Sequence, residues 1–439
     1  MAEDRADVPD KPPSAPRRRW WIWLPAGCFG FMLVIFLLGM AVVSGRARSR
    51  WKEFGPRHAQ LKARVLDRPA EREPLEGVAV EGNAFEPYVA LSTALWKMSS
   101  DDKSAIDNAL AGKGGPDAEA KAFAVLDAHA AELEGFRKAA RLSAYKDSLD
   151  YEAGWAASLD WIGPFRFTAR LFELSAIRRR EAGDLDGAID DVVALAQLGL
   201  DVGSSGPAIC HLVGISILRF ATNQGGAIVC GLALTPVQAA RLVRLFERAE
   251  AALRSLHDVL ESEHLLINET LAAFAEGRGS MEELGFPSST RFLAWRQGFS
   301  WRVVAADVDE ACSRVSEQGR EMSERDWPQA RAAYEKTELE WQSDTLLSML
   351  HCATSSIDRS SRSIRARFRM IRAVAHERAT GAPLALDDPF TLKPLHRRDA
   401  AGSSLWWSEW TDGDNGGAGK FEDDPQSGGD IPLEWKRSE

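Results

Sequence analysis

The sequence predicts a mostly α-helical protein: an N-terminal transmembrane helix, an irregular array of α-hairpins, and a small β/loop module at the C-terminal end. Three observations predict it. Trp20 to Val43 is a run of 24 residues without a charge. Apolar residues recur at helical spacing, with recognisable caps, between Asn83 and Thr380. Composition then changes abruptly after Gly381. The 439 residues are 45% apolar and 27% charged, enough to bury a sizeable core. Lys and Arg number 54 against 64 Asp and Glu, a net charge of −10 that argues against nucleic acid as a partner. Five cysteines without a Cys-x-x-Cys pair argue against a disulfide scaffold or a structural zinc site.

Residues 1–19 are polar and proline-rich and read as a disordered cytoplasmic tail. Residues 20–43 follow as the membrane partner segment. As a helix they span about 36 Å, against about 30 Å of hydrocarbon. Trp20, Trp21 and Trp23 stand where an interfacial aromatic belt belongs. The run is long for a cleaved signal peptide, and Ala41 to Gly45 is a poor cleavage site, so an uncleaved anchor is expected. Arg17, Arg18 and Arg19 favour a cytoplasmic N-terminus, although Arg46, Arg48, Arg50 and Lys52 flank the other end as closely. Residues 44–80, charged and punctuated by Pro56, Pro69 and Pro74, read as a linker.

Residues 81–380 read as a helical domain. Thr235, Pro236 and Gln238 form a capping box with proline in the first turn. Leu242, Phe246, Ala249, Leu253, Leu256 and Leu260 continue from it at spacings of four and three, predicting one long helix. A helix through Phe165, Ala169, Phe172 and Ala176 ends around Gly183, and Asp184 caps a second one carrying Ile189, Val192, Val193, Ala196 and Leu200. The joint between them, Arg179 to Ala188, resembles the turn of a tetratricopeptide repeat, without a recurring 34-residue period. Gly203 to Gly206 reads as a turn, and Cys210 and Cys230 as small apolar residues.

Two polar groupings invite chemistry. His257, Glu261 and His264 share a helix face, and Glu261-x-x-His264 matches half of a di-iron carboxylate signature. No second Glu-x-x-His exists among the eight histidines, so the expectation is an exposed polar face. Arg362, Arg365, Arg369 and Arg372 line one side of a helix whose other side carries Ile364, Phe368 and Ile371. That side is expected to be solvated and to offset the acidic region nearby, with anionic lipid or phosphate as the alternative contact. There is no His-Glu-x-x-His, Gly-x-Ser-x-Gly or phosphate-binding loop.

Residues 381–439 form the C-terminal module, in which Leu405 to Trp407 and Ile431 to Trp435 have the makings of short strands. Between residues 401 and 439 nine acidic side chains face three basic ones. Asp412, Asp414 and Asp423 occupy positions 1, 3 and 12 of an EF-hand-like register, but Gly416 and Pro425 exclude a true EF-hand. Calcium takes six to eight oxygens and glycines let a chain curl round it; a solvated acidic loop is the other reading. Gly381 to Leu386, Asp388 to Leu395, Trp407-Ser408, Asp412-Gly413, Gly416-Gly417 and Asp430-Ile431 occur in a telling order. Together they resemble the C-terminal region of the major pseudopilins of type II secretion, over about residues 364–435. The resemblance implies a calcium loop with Asp412 and Asp430 as side-chain ligands and Ser408 as a carbonyl donor; Asp414 is added on geometry. The loop is longer than in pseudopilins, and Ile35 stands where they carry a glutamate after the Gly30-Phe31 site, so the chain is not itself a pseudopilin. Its layout is similar to that of bacterial membrane proteins, of unassigned function, that join a helical body to this module. The expectation is a non-enzymatic, single-pass, extracytoplasmic interaction or scaffold protein with an unidentified protein partner. The alternative is an envelope enzyme with a site between the helices, using His257, Glu261 and Glu263.

Overall fold

A computed structural model describes residues 45, 48–231, 233–278, 301–342, 354–400, 403–409 and 431–436. The Trp20–Val43 segment, Asp412, Asp414 and Asp430 lie outside them. Residues 48–66, within the expected linker, form helix α1, which runs through Pro56. Proline removes a donor inside a helix, so something must outweigh it. Here it is an apolar stripe: Trp51 and Phe54 pack with Ile267, Leu271, Val304 and Val308, and Leu61 and Val65 with Tyr151, Leu265 and Leu266.

Next come strand β1 (Val80–Asn83) and helices α2 (Phe85–Trp96), α3 (Ser100–Leu110), α4 (Gly115–Ala128) and α5 (Ala130–Ala139). Strand β2 (Leu142–Ala144) then pairs in parallel with β1. Ser99 caps α3 by accepting from Asp102 N at 3.1 Å. Tyr88, Phe136, Phe165 and Phe172 stack or meet edge-on, joining α2 and α5 to α6 (Ile162–Glu181). A 3₁₀ turn at Tyr151–Ala156 precedes α6.

The expected hairpin is present as α6 and α7 (Leu185–Ser204), with Asp184 accepting from Gly187 N at 3.0 Å. Gly183 supplies a φ of +79°, which only glycine adopts without strain. Helix α7 continues through Ser204, so the turn to α8 (Ala208–Gly231) is shorter than Gly203 to Gly206. The two cross at glycines: a Cβ on Gly214 would lie 2.5 Å from the Gly199 carbonyl oxygen and 2.7 Å from Gly203 Cα. Among the described residues α8 alone has the length and apolarity to cross a membrane, and 67% of that stretch is buried within the protein.

The capping box at Thr235 forms as expected at the start of α9 (Pro236–Ala252). The single long helix does not. Leu253 is extended, Ser255 caps a new helix, α10 (Leu256–Ala275), and its hydroxyl accepts from Asp258 N at 3.1 Å. A local cap prevails over continuous apolar spacing, because Leu253 and Leu256 stay buried on either side of the break.

Helices α11 (Trp301–Ser323), α12 (Trp327–Gln342) and α13 (Thr354–Thr380) complete the helical part. The arginine side of α13 is not solvated. Arg362, 2% exposed, binds Asp358 and the carbonyls of Arg325, Pro389 and Met322. Arg369 and Arg372 both pair with Glu250 of α9. Ile364, Phe368 and Ile371 are buried as well, so α13 is enclosed on both sides. Strands β3 (His396–Ala400), β4 (Ser403–Ser408) and β5 (Ile431–Lys436) form an antiparallel sheet in that order. Phe390, Leu395 and Trp406 join the main helical core, and Glu377 of α13 accepts from Arg397, Ser404 and the Trp406 indole.

Candidate functional site

Ser408 is the one expected calcium-site residue within the described part. Its hydroxyl is buried and donates to Asp388 Oδ1 at 2.8 Å. The same carboxylate accepts from Phe390 N at 3.0 Å and, through Oδ2, from Glu409 N at 2.7 Å. Asp388 thus pins the end of β4 to the turn after α13. Ser408 pairs with Ile431 across the sheet, so the two flanks of the 410–430 segment emerge side by side. Among the described residues no three His, Cys, Asp or Glu side chains gather as metal ligands.

The His257 group is not an exposed face. Glu261 and His264 are 7% and 4% exposed, and each is bound to a different neighbour. Glu261 receives Arg64 of α1 and Arg68 just beyond it, at 2.9 and 2.8 Å. His264 Nε2 meets Asp309 Oδ1 at 2.9 Å, and Asp309 Oδ2 lies 2.8 Å from Arg57 of α1. Burial alone would raise the Asp309 pKa; the bonds from His264 and Asn268 and the Arg57 charge bring it below the usual carboxylate range. Glu269 behaves alike, burial being outweighed by His58 and Lys62. His257 contacts the Ser316 carbonyl, while Glu263 turns away to accept from Ala208 N at 3.0 Å, capping α8. These groups fasten α1, α8 and α11 to α10. They do not converge on one reacting centre.

Convergence occurs instead beside them, in a cavity of about 540 Å³. Its walls are residues 65–75, the 145–151 loop, the end of α7, and the break between α9 and α10. A volume in the range of about 300–1,000 Å³ is typical of small-molecule sites. On one side Asp201, fully buried, is held by Arg72 Nε at 2.9 Å, Gln197 at 3.0 Å and the Tyr88 hydroxyl at 3.1 Å. Burial prevails over Arg72 and raises the Asp201 pKa to about 6. Gln197 also accepts from Leu75 N at 2.8 Å, fixing the wall above.

On the other side stand Tyr145, Asp147, Ser205 and Arg254. The Tyr145 hydroxyl and Asp147 are buried on either side of the Ser205 hydroxyl, which interacts with both, while Arg254 Nε is buried without a hydrogen-bond partner. Burial raises the pKa of Asp147 and drives that of Tyr145 well above the phenol range. An unsatisfied buried polar atom costs about 1–3 kcal/mol, so Arg254 Nε is a donor facing the cavity wall in want of an acceptor.

No spacing rule pointed to these residues, which come from four separate stretches of chain. One signal was present: Gln197 and Asp201, a helical turn apart, interrupt the otherwise apolar end of α7. The protein-family models, the curated proteins and the solved structures provide no match to this chain.

Proposed function

We propose that the protein is a single-pass, membrane-anchored interaction protein whose helical body stands outside the cytoplasm on a rigid tether. The observation that carries this reading is the docking of α1. The helix that begins a few residues after the uncharged Trp20–Val43 run is bound to the body by two apolar clusters and by Arg57–Asp309, Lys62–Glu269 and Arg64–Glu261 pairs. A swivelling spacer has no need of such contacts. An interaction role rather than an enzymatic one is favoured because His257, Glu261 and Glu263 serve three separate structural contacts. The helical array, with its tetratricopeptide-like α6–α7 hairpin, offers the surface for a protein partner. At the far end, Asp412, Asp414, Asp430 and the Ser408 carbonyl bind calcium and stiffen the loop between β4 and β5.

Membrane fractionation with a topology reporter fused after Glu439 tests the placement. The full-length chain is expected in the detergent-extracted fraction, with the reporter outside. Recovery as a soluble, intact monomer removes the anchor. Calcium titration of the detergent-solubilised protein tests the loop: melting temperature rises with saturating calcium in the wild type and stays flat in Asp412→Asn/Asp430→Asn, since binding to the native state alone must stabilise it.

A further inference from the structure

In the cavity wall Arg254 makes no direct ion pair. Its hydrogen bonds go to the Gly206 carbonyl at 2.8 Å, the Asp258 carbonyl at 2.7 Å and the Ser262 hydroxyl, all neutral oxygens. Arg68 reaches the same Asp258 carbonyl and Ser262 hydroxyl at 3.0 and 2.8 Å, bringing a second guanidinium alongside. Arg68 is paired with Glu261 and, at 3.3 Å, with Asp258; Arg254 bonds directly to no carboxylate. Burial and the Arg68 charge lower the Arg254 pKa to about 10, which still leaves it cationic near neutrality. Asp258 and Asp147 act on this charge only from beyond ion-pair distance, so a buried guanidinium is left without a direct anionic partner. The α9–α10 break is what sets it there: Arg254 sits between the extended Leu253 and the capping Ser255.

The facing groups offer both donors and acceptors. The Tyr145 hydroxyl and Ser205 hydroxyl can donate or accept, and Asp147 Oδ2 can accept or, when protonated, donate. Tyr145 is only 5% exposed, so its hydroxyl has no access to bulk water to satisfy it.

We infer that this cavity binds a small organic anion, its carboxylate or phosphate on Arg254 and Arg68 and a hydroxyl or amino group on Tyr145, Asp147 and Ser205. Both anion types match a guanidinium fork, and an additional polar group distinguishes the ligand from an inorganic ion. The inference stands on the cavity alone and is independent of the membrane anchor and the calcium loop.

The test is ligand-dependent melting of the full-length protein in detergent. The probes are malate, succinate, glycerol 3-phosphate and glucose 6-phosphate, each at about 10 mM, a level that detects millimolar or tighter binding to the native state. Glycerol, inorganic phosphate and phosphatidylglycerol vesicles complete the set. A saturable rise with at least one organic anion, larger than with inorganic phosphate and absent with glycerol, is expected. Arg254→Gln weakens that binding about ten- to a hundredfold, the value of a charge-assisted hydrogen bond or two. Tyr145→Phe removes a hydroxyl whose partner in the folded chain is Ser205, so its binding is compared against its own unliganded melting temperature and is expected to be weaker severalfold. The proposal is overturned if none of the four anions raises the melting temperature, or if Tyr145→Phe binds as tightly as the wild type. A response to phosphatidylglycerol vesicles alone likewise overturns it, in favour of a lipid headgroup.

Discussion

His211 lies wholly inside the core, its Nε2 at 2.9 Å from the Ser361 hydroxyl. Burial, aided by the charges of Arg254 and Arg365, lowers its pKa from 6.5 to about 3. The unfolded chain therefore takes up a proton near pH 6.5 that the folded chain refuses until about pH 3. Its neutral state supports stability fully above pH 6.5, and that support is lost as pH falls through this window. His211→Gln is expected to move the acid-unfolding midpoint to lower pH, as followed by far-UV circular dichroism. Identical midpoints would show that another group governs acid lability. Arg362 is the complementary case of a charge kept inside. Truncation to alanine strands Asp358 and three carbonyls, and a loss of about 3–5 kcal/mol in urea unfolding is expected, as for other broken buried pairs. A loss below about 1 kcal/mol would place Arg362 among surface-type ion pairs instead.

Packing between elements turns on the glycines where α7 crosses α8. Gly214→Ala puts a methyl group into the backbone of α7, with no flexible side chain to yield, and is expected to cost about 1–3 kcal/mol or more. Gly163→Ala, at an open position on α6, is the control and should leave melting unchanged or raise it slightly, since alanine is the better helix former. Element starts were readable in the sequence wherever a cap is local: Thr235 with Gln238, and Asp184 after Gly183, both form as their chemistry dictates. The break at Leu253 was not, because its two flanking leucines keep the helical spacing that a continuous helix would show. The arginine side of α13 was misread for a different reason. Its partners Glu247 and Glu250 lie about 120 residues earlier, and no local pattern tells a solvated charge from one with a distant counter-ion. The cavity residues share that obstacle, since Tyr145, Ser205 and Arg254 meet only after α7, α9 and α10 have packed.

For the molecule as a whole, the docking of α1 fixes where a stable fragment can begin. A chain starting at residue 48 keeps the apolar stripe and every ion pair to α10 and α11, and should melt as the full-length protein does. A chain starting at residue 80 uncovers Leu265, Leu266, Ile267 and Leu271 and leaves Glu261, Glu269 and Asp309 without their cations. It is expected to melt several degrees lower and to aggregate, by light scattering; equal melting of the two fragments would mean that α1 is dispensable. The same helix leads directly into residues 65–75, which roof the cavity. Displacing α1 from α10 and α11 would therefore also displace one wall of the chamber beside Arg254 and Tyr145.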